Sequence, residues 1–362
     1  MSTLKQRIAA QIATGGPISV AEYMALCLFD PQEGYYTTRE PFGIAGDFTT
    51  APEISQMFGE LVAVWLRTAW EAVGRPFPFI LAEIGPGRGT LMKDMLRTLS
   101  KLDPGFLAQA TVAMVETSPR LTEVQRNTLA GAPARVEWVR NIEALAPLPL
   151  LIVGNELFDA IPVRQFVRAG NAWRERAVAL DDAGNLQFVA GAGLLDAALL
   201  PPDATGAAEG AIVELAPARS ALMEAIAGRI ASHGGAGLFI DYGYLTPGVG
   251  DTLQALRKHR YEDVLENPGL ADLTTHVDFH ALAQAARGHG LDAHLATQGD
   301  FLLGMGLLAR AGLLGANADT AGRERIHSEV ERLAGPDAMG NLFKVLAVTP
   351  PGVAVPPFEQ AH

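Results

Sequence analysis

The chain has 362 residues, 49% of them hydrophobic and 19% charged, which favours a packed globular core and excludes disordered, collagen-like and coiled-coil sequences. Its length suits two domains or one enlarged domain. The formal net charge of −12 argues against a nucleic-acid partner and is compatible with a cationic substrate.

The single cysteine and the N-terminus both bear on location. Cys27 cannot form an internal disulfide, and no zinc-ligand spacing occurs, so we expect a reducing compartment and no metal. Residues 1–20 have too short an apolar run for a secretory signal. No stretch approaches the roughly 20 apolar residues that span a bilayer. We therefore predict a cytoplasmic protein without membrane insertion.

Residues 1–78 are predicted to form an N-terminal helical and lid segment. The stretch YYTTREPFGIAGDFTT (35–50) is rich in Gly, Thr and aromatic residues, which indicates a shaped loop and favours a lid. Asp47 in this loop is equally suited to a turn. A capping box from Thr50 to Glu53 predicts the start of one long amphipathic helix that runs to about Val73.

Short apolar runs at 79–85, 111–116, 148–155 and 237–243, with a weaker one at 135–139, predict buried parallel strands. Helical patterns alternate with them at 91–102, 118–131 and 217–235. This alternation predicts a doubly wound α/β fold whose core comprises residues 79–161 and 216–350.

Two regions depart from the alternation. Residues 162–215 read as short strands with turn signals, so we predict a β-rich insertion that covers a cleft or carries a subunit contact. The homodimer that such a contact would form is left open. After residue 243 the patterns predict a helix at 278–289, a strand at 291–298, a Gly-rich helix at 301–312, a helix at 320–334, a returning edge strand at 342–349 and a tail at 351–362.

A glycine-rich turn follows the first predicted core strand. Gly85, Gly87 and Gly89 permit a tight turn and a close approach of the backbone to a nucleotide-like cofactor. A dinucleotide-binding loop would place its third glycine at Thr90, and its ribose acid would lie closer than Glu116. That alternative is weakened but stays open.

Polar side chains follow other predicted core strands. Glu116 suits the two hydroxyls of a ribose, although it also suits the start of the next helix. Asn155, Glu156 and Asp159 follow the strand at 148–155, beside the expected cleft. A carboxylate pair matches a planar guanidinium, although both acids equally suit caps of the following turn.

Residues further along the chain are less specific. His276 and Asp278 place an imidazole near a carboxylate, which suits orienting a substrate or moving a proton, or else a helix cap beside a surface histidine. Asp241 and Tyr242 end the strand at 237–243 and could line the cleft. The roles of Asp241, Tyr242 and Asp278 stay open.

Five strings in order along the chain carry a family resemblance: GDFTTAPEISQMFGE (46–60), EIGPGRGTLMKD (83–94), NELFDAIPVRQF (155–166), IDYGY (240–244) and LTTHVDF (273–279). Together they resemble the MidA-type family of class I S-adenosylmethionine-dependent methyltransferases. That family includes the mitochondrial complex I assembly factor. The resemblance extends from about residue 5 to 348.

The resemblance implies a seven-stranded methyltransferase sheet with S-adenosylmethionine as cofactor. It implies cofactor contacts from Glu83, Gly85, Gly87, Gly89, Glu116 and Asn155. The predicted catalytic candidates are Asn155, Glu156, Asp159 and His276.

The resemblance also implies an acceptor. The family's mitochondrial member symmetrically dimethylates an arginine in a core subunit of complex I, so we expect methylation of an arginine in that subunit or its bacterial equivalent. A non-catalytic assembly chaperone that uses residues 162–215 as its interaction surface, or a small-molecule methyltransferase, are the alternatives.

Overall fold

The computed structural model describes residues 3–38 and 50–358. Most of the predicted lid, including Asp47, lies outside these described residues. None of the helices within the two described ranges combines the length and the apolar character needed to cross a membrane.

Helices make up much of the described chain. They are α1 (Leu4–Gly15), α2 (Val20–Phe29), α3 (Tyr35–Thr38), α4 (Ala51–Ile54), α5 (Gln56–Ala72), α6 (Thr90–Leu102), α7 (Pro104–Gln109), α8 (Pro119–Thr128), α9 (Pro217–His233), α10 (Phe279–Gly288), α11 (Gln298–Gly304), α12 (Leu307–Gly315), α13 (Thr320–Ala334) and α14 (Met339–Leu342).

Strands occur along almost the whole length of the chain. They are β1 (Ile18–Ser19), β2 (Phe79–Ile84), β3 (Ala110–Val115), β4 (Val136–Val139), β5 (Leu150–Asn155), β6 (Arg164–Ala169), β7 (Ala172–Leu180), β8 (Leu186–Leu194), β9 (Ile212–Leu215), β10 (Gly235–Tyr244), β11 (Gln254–Arg257), β12 (Arg260–Glu262), β13 (Asp272–Thr274), β14 (Val277–Asp278), β15 (Asp292–Thr297) and β16 (Phe343–Thr349).

The chain divides into two compact units. Unit 1 comprises Met1–Phe48, Phe158–Ser220 and Thr246–Asp278, and unit 2 comprises Thr49–Leu157, Ala221–Leu245 and Phe279–His362. This division differs from the predicted boundaries. Residues 50–78 group with the core, and residues 158–161, 216–220 and 246–278 group with the predicted insertion.

Unit 2 contains the predicted doubly wound sheet. Seven strands lie in the order β15-β16-β10-β5-β2-β3-β4. The five strands from β10 to β4 are parallel, and β16 runs antiparallel to both of its neighbours, β10 and β15. The predicted antiparallel return is therefore present, but β15, and not the strand predicted at 342–349, lies at the edge. Every residue of β2 is buried, as expected for a strand that is covered by helices on both faces. The predicted α/β fold with a mostly parallel sheet is confirmed.

The strand order reverses between β2 and β5. The chain goes from β2 outward to β3 and β4, and then returns to β5 on the other side of β2. Ile84 at the end of β2 pairs with Gly154 of β5. In such sheets the crevice at the carboxyl ends of the two central strands is the usual position for a ligand. The glycine turn follows β2, and Asn155 ends β5, so both border this crevice.

Two helix predictions in unit 2 are wrong in detail. The predicted long helix is divided at Ser55, whose backbone is extended and whose hydroxyl accepts from the N–H of Met57 to begin α5. Thr50 precedes α4 without a side-chain cap, so the predicted capping box does not form. The predicted Gly-rich helix is likewise divided into α11 and α12, because Gly306 adopts a φ of +90°.

Unit 1 contains two antiparallel sheets. One has the order β1-β7-β6-β9 with β8 beside β7, and the other has the order β12-β11-β13. Its main core includes Ile8 of α1, Tyr23 and Met24 of α2, Val178 of β7 and Leu273 of β13. The strands β6 to β9 lie within the predicted β-rich insertion.

Candidate functional site

The turn after β2 can be built only from glycine at its key positions. Gly85, Gly87 and Gly89 have φ values of +65°, +51° and +81°, a region that strongly disfavours other residues. A Cβ atom added to Gly85 would lie 2.7 Å from Cδ1 of Leu157. Gly89 then serves as the N-cap of α6. Glycine is therefore favoured by the left-handed backbone at all three positions and required by the packing of Leu157 at Gly85.

Glu83 lies just before this turn and is only 3% exposed. Burial and the nearby charge of Glu116 raise the pKa of the Glu83 carboxyl to about 8, although the N–H of Met92 opposes the shift. The carboxyl therefore holds a proton at neutral pH. Its Oε2 atom has no hydrogen-bond partner among the residues that the structure describes.

Glu116 follows β3 and has two well-defined contacts. Its Oε1 accepts from the N–H of Ser118 at 2.7 Å, which is the helix-start contact of the alternative interpretation. Its Oε2 accepts from Nε2 of Gln125 at 2.9 Å. Burial raises the pKa of the Glu116 carboxyl. Glu116 therefore makes the helix-start contact. Gln125 also donates to the Gly87 carbonyl, so this amide connects Glu116 to the glycine turn.

The end of β5 is strained. Glu156 has a φ of +50°, which is unusual for a residue with a side chain and is typical of functional sites. Its Oε1 accepts from Nδ2 of Asn155 at 3.1 Å and from the N–H of Ala51 at 3.3 Å. Its own N–H donates to the Ile240 carbonyl at 2.8 Å. These contacts hold the carboxylate at the end of the strand.

Asp241 supports the same turn from β10. It is fully buried, and its Oδ2 accepts from the N–H of Leu157 at 3.1 Å, while its Oδ1 accepts from the N–H of Tyr242 at 2.9 Å. Asp241 therefore fixes the backbone that follows Glu156. Its contact with the backbone gives a structural role to a residue whose role the sequence left open.

S-adenosylmethionine fits the donor and acceptor set of unit 2. The glycine turn provides close backbone approach, and Glu116 provides a carboxylate for ribose hydroxyls. Within the described part of the chain, Oδ1 of Asn155 is buried without a hydrogen-bond partner, as is Oε2 of Glu83. Buried polar atoms without partners are costly, and a ligand with N–H and O–H groups would satisfy them.

Sequence reasoning missed the hydrogen-bond partners of two polar side chains of unit 2, Gln125 and Glu53. Gln125 bonds both Glu116 and the Gly87 carbonyl. Glu53 accepts from the hydroxyl of Thr90, the first residue of α6, and so does not cap its own helix. Gln125 lies one helical turn after Leu121, on the buried face of α8. A polar residue at an apolar stripe position is the signal that could have revealed it.

Asp159 and His276 lie in unit 1, where a buried arginine joins their segments. Arg219 of α9 donates to the carbonyls of Asp159 at 3.0 Å, Ile161 at 3.1 Å and His276 at 2.8 Å, and to the hydroxyl of Thr275. The N–H of Thr275 also donates to the Asp159 carbonyl at 3.2 Å. The structure therefore brings Asp159 and His276 into one cluster. Asn155 and Glu156 belong to unit 2.

Comparison with known proteins identifies relatives along almost the whole chain. A protein from Danio rerio, named protein arginine methyltransferase NDUFAF7, mitochondrial, is 35% identical over an alignment of 371 residues that covers 96% of this chain and 86% of that protein. The Homo sapiens protein of the same name is 35% identical over an alignment of 372 residues that covers 94% of this chain and 82% of that protein. The predicted cytoplasmic location is wrong on this comparison, because both relatives are named mitochondrial.

A solved structure gives the same result for the fold. The crystal structure of a Burkholderia thailandensis protein bound to S-adenosyl-homocysteine has 31% sequence identity and a TM-score of 0.81. The alignment covers 97% of this chain and 92% of that chain.

The profile of a protein family, described as S-adenosyl-L-methionine-dependent methyltransferase, matches residues 61–297, more than half of the chain. With the relatives above, this confirms the predicted family, enzyme class and cofactor. The chain belongs to the S-adenosyl-L-methionine-dependent methyltransferase family.

Proposed function

We propose that this enzyme methylates an arginine side chain of a protein substrate. The observation that carries the proposal is the carboxylate of Glu156, which its contacts with Ala51 and Asn155 hold at the crevice between β5 and β2. A fixed carboxylate is the group that binds a guanidinium best. The names of the relatives, protein arginine methyltransferase, support the same acceptor.

Bound S-adenosylmethionine supplies a methyl group that is already activated on a positively charged sulfur. The protein therefore needs chiefly to align the acceptor nitrogen with that methyl group and to exclude water. In our proposal Gly85, Gly87 and Gly89 let the backbone approach the cofactor, and Glu116 accepts from its ribose hydroxyls. Glu83 and Asn155 meet its remaining polar groups with their buried oxygen atoms.

A guanidinium is a poor nucleophile because its lone pairs are delocalised. A carboxylate that accepts hydrogen bonds from two of its nitrogens draws positive charge toward them and leaves the third more reactive. We assign this role to Glu156, whose strained backbone and bonded Oε1 atom fix the carboxylate in orientation. We also propose Asp159 and His276 of unit 1 as catalytic candidates.

We further propose that the acceptor is a core subunit of respiratory complex I or its bacterial equivalent, and that the product is symmetric dimethylarginine. The family resemblance supports this finer assignment. The net charge of −12 is compatible with a cationic target.

The test compares the host proteome with and without this protein by mass spectrometry. We expect one or more methylarginine peptides to disappear without it and to return with the wild-type chain. Complementation with Glu156→Gln should fail, with methyl transfer reduced by about a hundredfold or more in vitro, while calorimetry should find unchanged binding of S-adenosylhomocysteine.

Glu123→Gln is the control, because Glu123 is an exposed residue whose partner is Arg126. This control should restore methylation fully. Loss of methyl groups from another residue type, or from a small molecule, would contradict the arginine proposal. Binding of S-adenosylhomocysteine without any transfer would favour the assembly-chaperone alternative.

A further inference from the structure

Gln125 is a fully buried polar residue on α8, and it bonds three groups of unit 2. Its Nε2 donates to the Gly87 carbonyl at 2.8 Å and to Oε2 of Glu116 at 2.9 Å. Its Oε1 accepts from Nε1 of Trp138 at 3.0 Å. One amide thus connects the glycine turn, the acid after β3 and the indole of β4.

The hydrogen-bond partners of Gln125 allow only one orientation of its side-chain amide. The indole N–H of Trp138 can only donate, so the amide oxygen must face it. The Gly87 carbonyl can only accept, so the NH₂ group must face the turn. Both amide hydrogens are then used, one on Gly87 and one on Glu116. The positions of the amide nitrogen and oxygen of Gln125 are therefore assigned by which of its partners donate and which accept hydrogen bonds.

The contact geometry around Gly89 adds a second constraint. A Cβ atom added to Gly89 would lie 3.5 Å from Cγ of Gln125, so the stem of this side chain packs directly beneath the turn. Any change in the length of the Gln125 side chain therefore acts on the turn itself. A change in its polarity acts on Glu116 and on the Gly87 carbonyl.

We infer that Gln125 is a positioning residue for the cofactor: it fixes the glycine turn relative to the Glu116 carboxylate and leaves the other lone pairs of Glu116 for a ligand's hydroxyl groups. Trp138 locks the amide in the orientation that this requires. The inference deepens the proposed function, because it concerns cofactor binding in the same enzyme. It does not depend on the identity of the acceptor.

The test is calorimetric titration of the full-length chain with S-adenosylhomocysteine. Gln125→Met keeps the length and removes both donors, and we expect binding about tenfold to a hundredfold weaker. Gln125→Glu places a second acid against Glu116 and should weaken binding at least as much. Trp138→Phe removes only the indole N–H that locks the amide, and we expect binding about two- to tenfold weaker.

Gln298→Met is the matched control. Gln298 lies on α11 and is also fully buried in unit 2. Its Nε2 donates to the carbonyl of Leu333 on α13 at 2.8 Å. It should lower thermal stability about as much as Gln125→Met without changing affinity for S-adenosylhomocysteine. This comparison separates loss of positioning from general loss of stability.

A double-mutant cycle tests the route through Glu116. If Gln125 acts through that carboxylate, Gln125→Met should weaken binding by less than about threefold in a Glu116→Gln background. Additive effects of the two substitutions would overturn this route. Binding by folded Gln125→Met within twofold of the wild type would overturn the inference as a whole.

If Gln125→Met does not fold, Trp138→Phe serves as the test instead. Unchanged affinity of Trp138→Phe for S-adenosylhomocysteine would then overturn the inference. Failure of the arginine proposal would be visible separately, as wild-type binding of S-adenosylhomocysteine without arginine methylation. If the wild type methylates arginine and the Gln125 variants bind S-adenosylhomocysteine as tightly as the wild type, only the inference about Gln125 is wrong.

Discussion

At the residue scale, the main feature of the cofactor end of the sheet is a pair of buried carboxyl groups. Burial raises the pKa of both Glu83 and Glu116, and the nearby charge of Glu116 raises the pKa of Glu83 further. Glu116 has donors from Ser118 and Gln125 that favour its charged form. Glu83 lacks an equivalent set, so it is the one that holds the proton.

This difference predicts a pH-dependent stability. The pKa of Glu83 is about 8 in the folded chain, above its ordinary value near 4.5, so the folded state binds the extra proton between these values. The free energy of unfolding should therefore fall as pH rises from about 4.5 to 8. Glu83→Gln cannot ionise, and it should exceed the wild type in stability by a few kcal/mol at pH 8, with little difference at pH 4.

Urea unfolding of both proteins across this pH range measures the difference. Glu137→Gln, a change at an exposed position on β4, serves as the control and should follow the wild-type curve. A constant stability gap between Glu83→Gln and the wild type would contradict a protonated Glu83.

Residue-level prediction succeeded where backbone geometry restricts the amino acid. Gly85, Gly87 and Gly89 were recognisable because positive φ values strongly favour glycine. Gln125 was not recognised, because glutamine is ordinary on a helix, and only the neighbouring strands bring Gly87 and Glu116 within its reach.

At the element scale, the start of α4 shows a distant partner overriding a local helix-start signature. The signature from Thr50 to Glu53 has the composition of a capping box, yet the Glu53 carboxylate accepts from Thr90 at the start of α6. Because the Glu53 carboxylate bonds Thr90, it does not complete the capping box with Thr50. The consequence is a short α4, an extended Ser55 and a separate α5.

The junction of α1 with the end of α2 gives a testable case in unit 1. Arg7 donates through both of its terminal nitrogens to the carboxylate of Asp30, at 2.9 and 2.8 Å. The N–H groups of Gln32 and Glu33 add two further donors at 2.9 Å. The bonds from Arg7 lead the causes that lower the pKa of Asp30 to about 2.

A carboxyl whose pKa is lowered stabilises the fold above its ordinary pKa and loses that effect as pH falls toward its folded value. Asp30→Asn should therefore cost about 1 to 3 kcal/mol at pH 7. The difference from the wild type should shrink between about pH 4 and pH 2. Thermal unfolding at a series of pH values measures it.

Asp196→Asn is a suitable comparison, because the exposed Asp196 carboxylate accepts from the N–H of Ala198 at the start of a short 3-10 helix. It should change stability by less than about 1 kcal/mol. An Asp30→Asn penalty that persists unchanged at pH 2 would show that the ion pair is not its source.

At the scale of the whole molecule, the predicted cofactor residues and part of the predicted acceptor residues belong to different units. Glu83, Gly85 and Glu116 lie in unit 2, whereas Asp159 and His276 lie in unit 1. Substitutions can therefore separate cofactor binding from methyl transfer. Arg219 is the best position for this test, because it donates to the backbone carbonyls of both Asp159 and His276 in unit 1.

Arg219→Met leaves the carbonyls of Asp159, Ile161 and His276 without their buried donor. We expect about 2 to 4 kcal/mol of lost stability in unit 1. Methyl transfer should fall at least tenfold, while affinity for S-adenosylhomocysteine should stay within threefold of the wild type. Initial rates and calorimetry on the same preparation measure the two effects.

Arg229→Met provides a control on the same helix. Arg229 donates to the carbonyls of Leu145 and Ala146 in unit 2, so it resembles Arg219 in chemistry but not in position. It should lower stability without reducing the rate of methyl transfer. Equal losses of rate in the two variants would contradict a specific role for the Arg219 cluster.

The sequence by itself determined the sheet, the glycine turn, the cofactor class and the family. These follow from local properties: strands buried on both faces need continuous apolar runs, and a left-handed turn needs glycine. The order of five strings along the chain then specified the family.

Only the tertiary structure decided the division into two units, the broken helices and the roles of Gln125, Asp241 and Arg219. Each of these side chains bonds a backbone or carboxylate group at least nine positions away along the chain. Such pairs have no local pattern, because a hydrogen bond across the fold depends on which strands and helices become neighbours, and the strand order that decides this is a property of the folded chain.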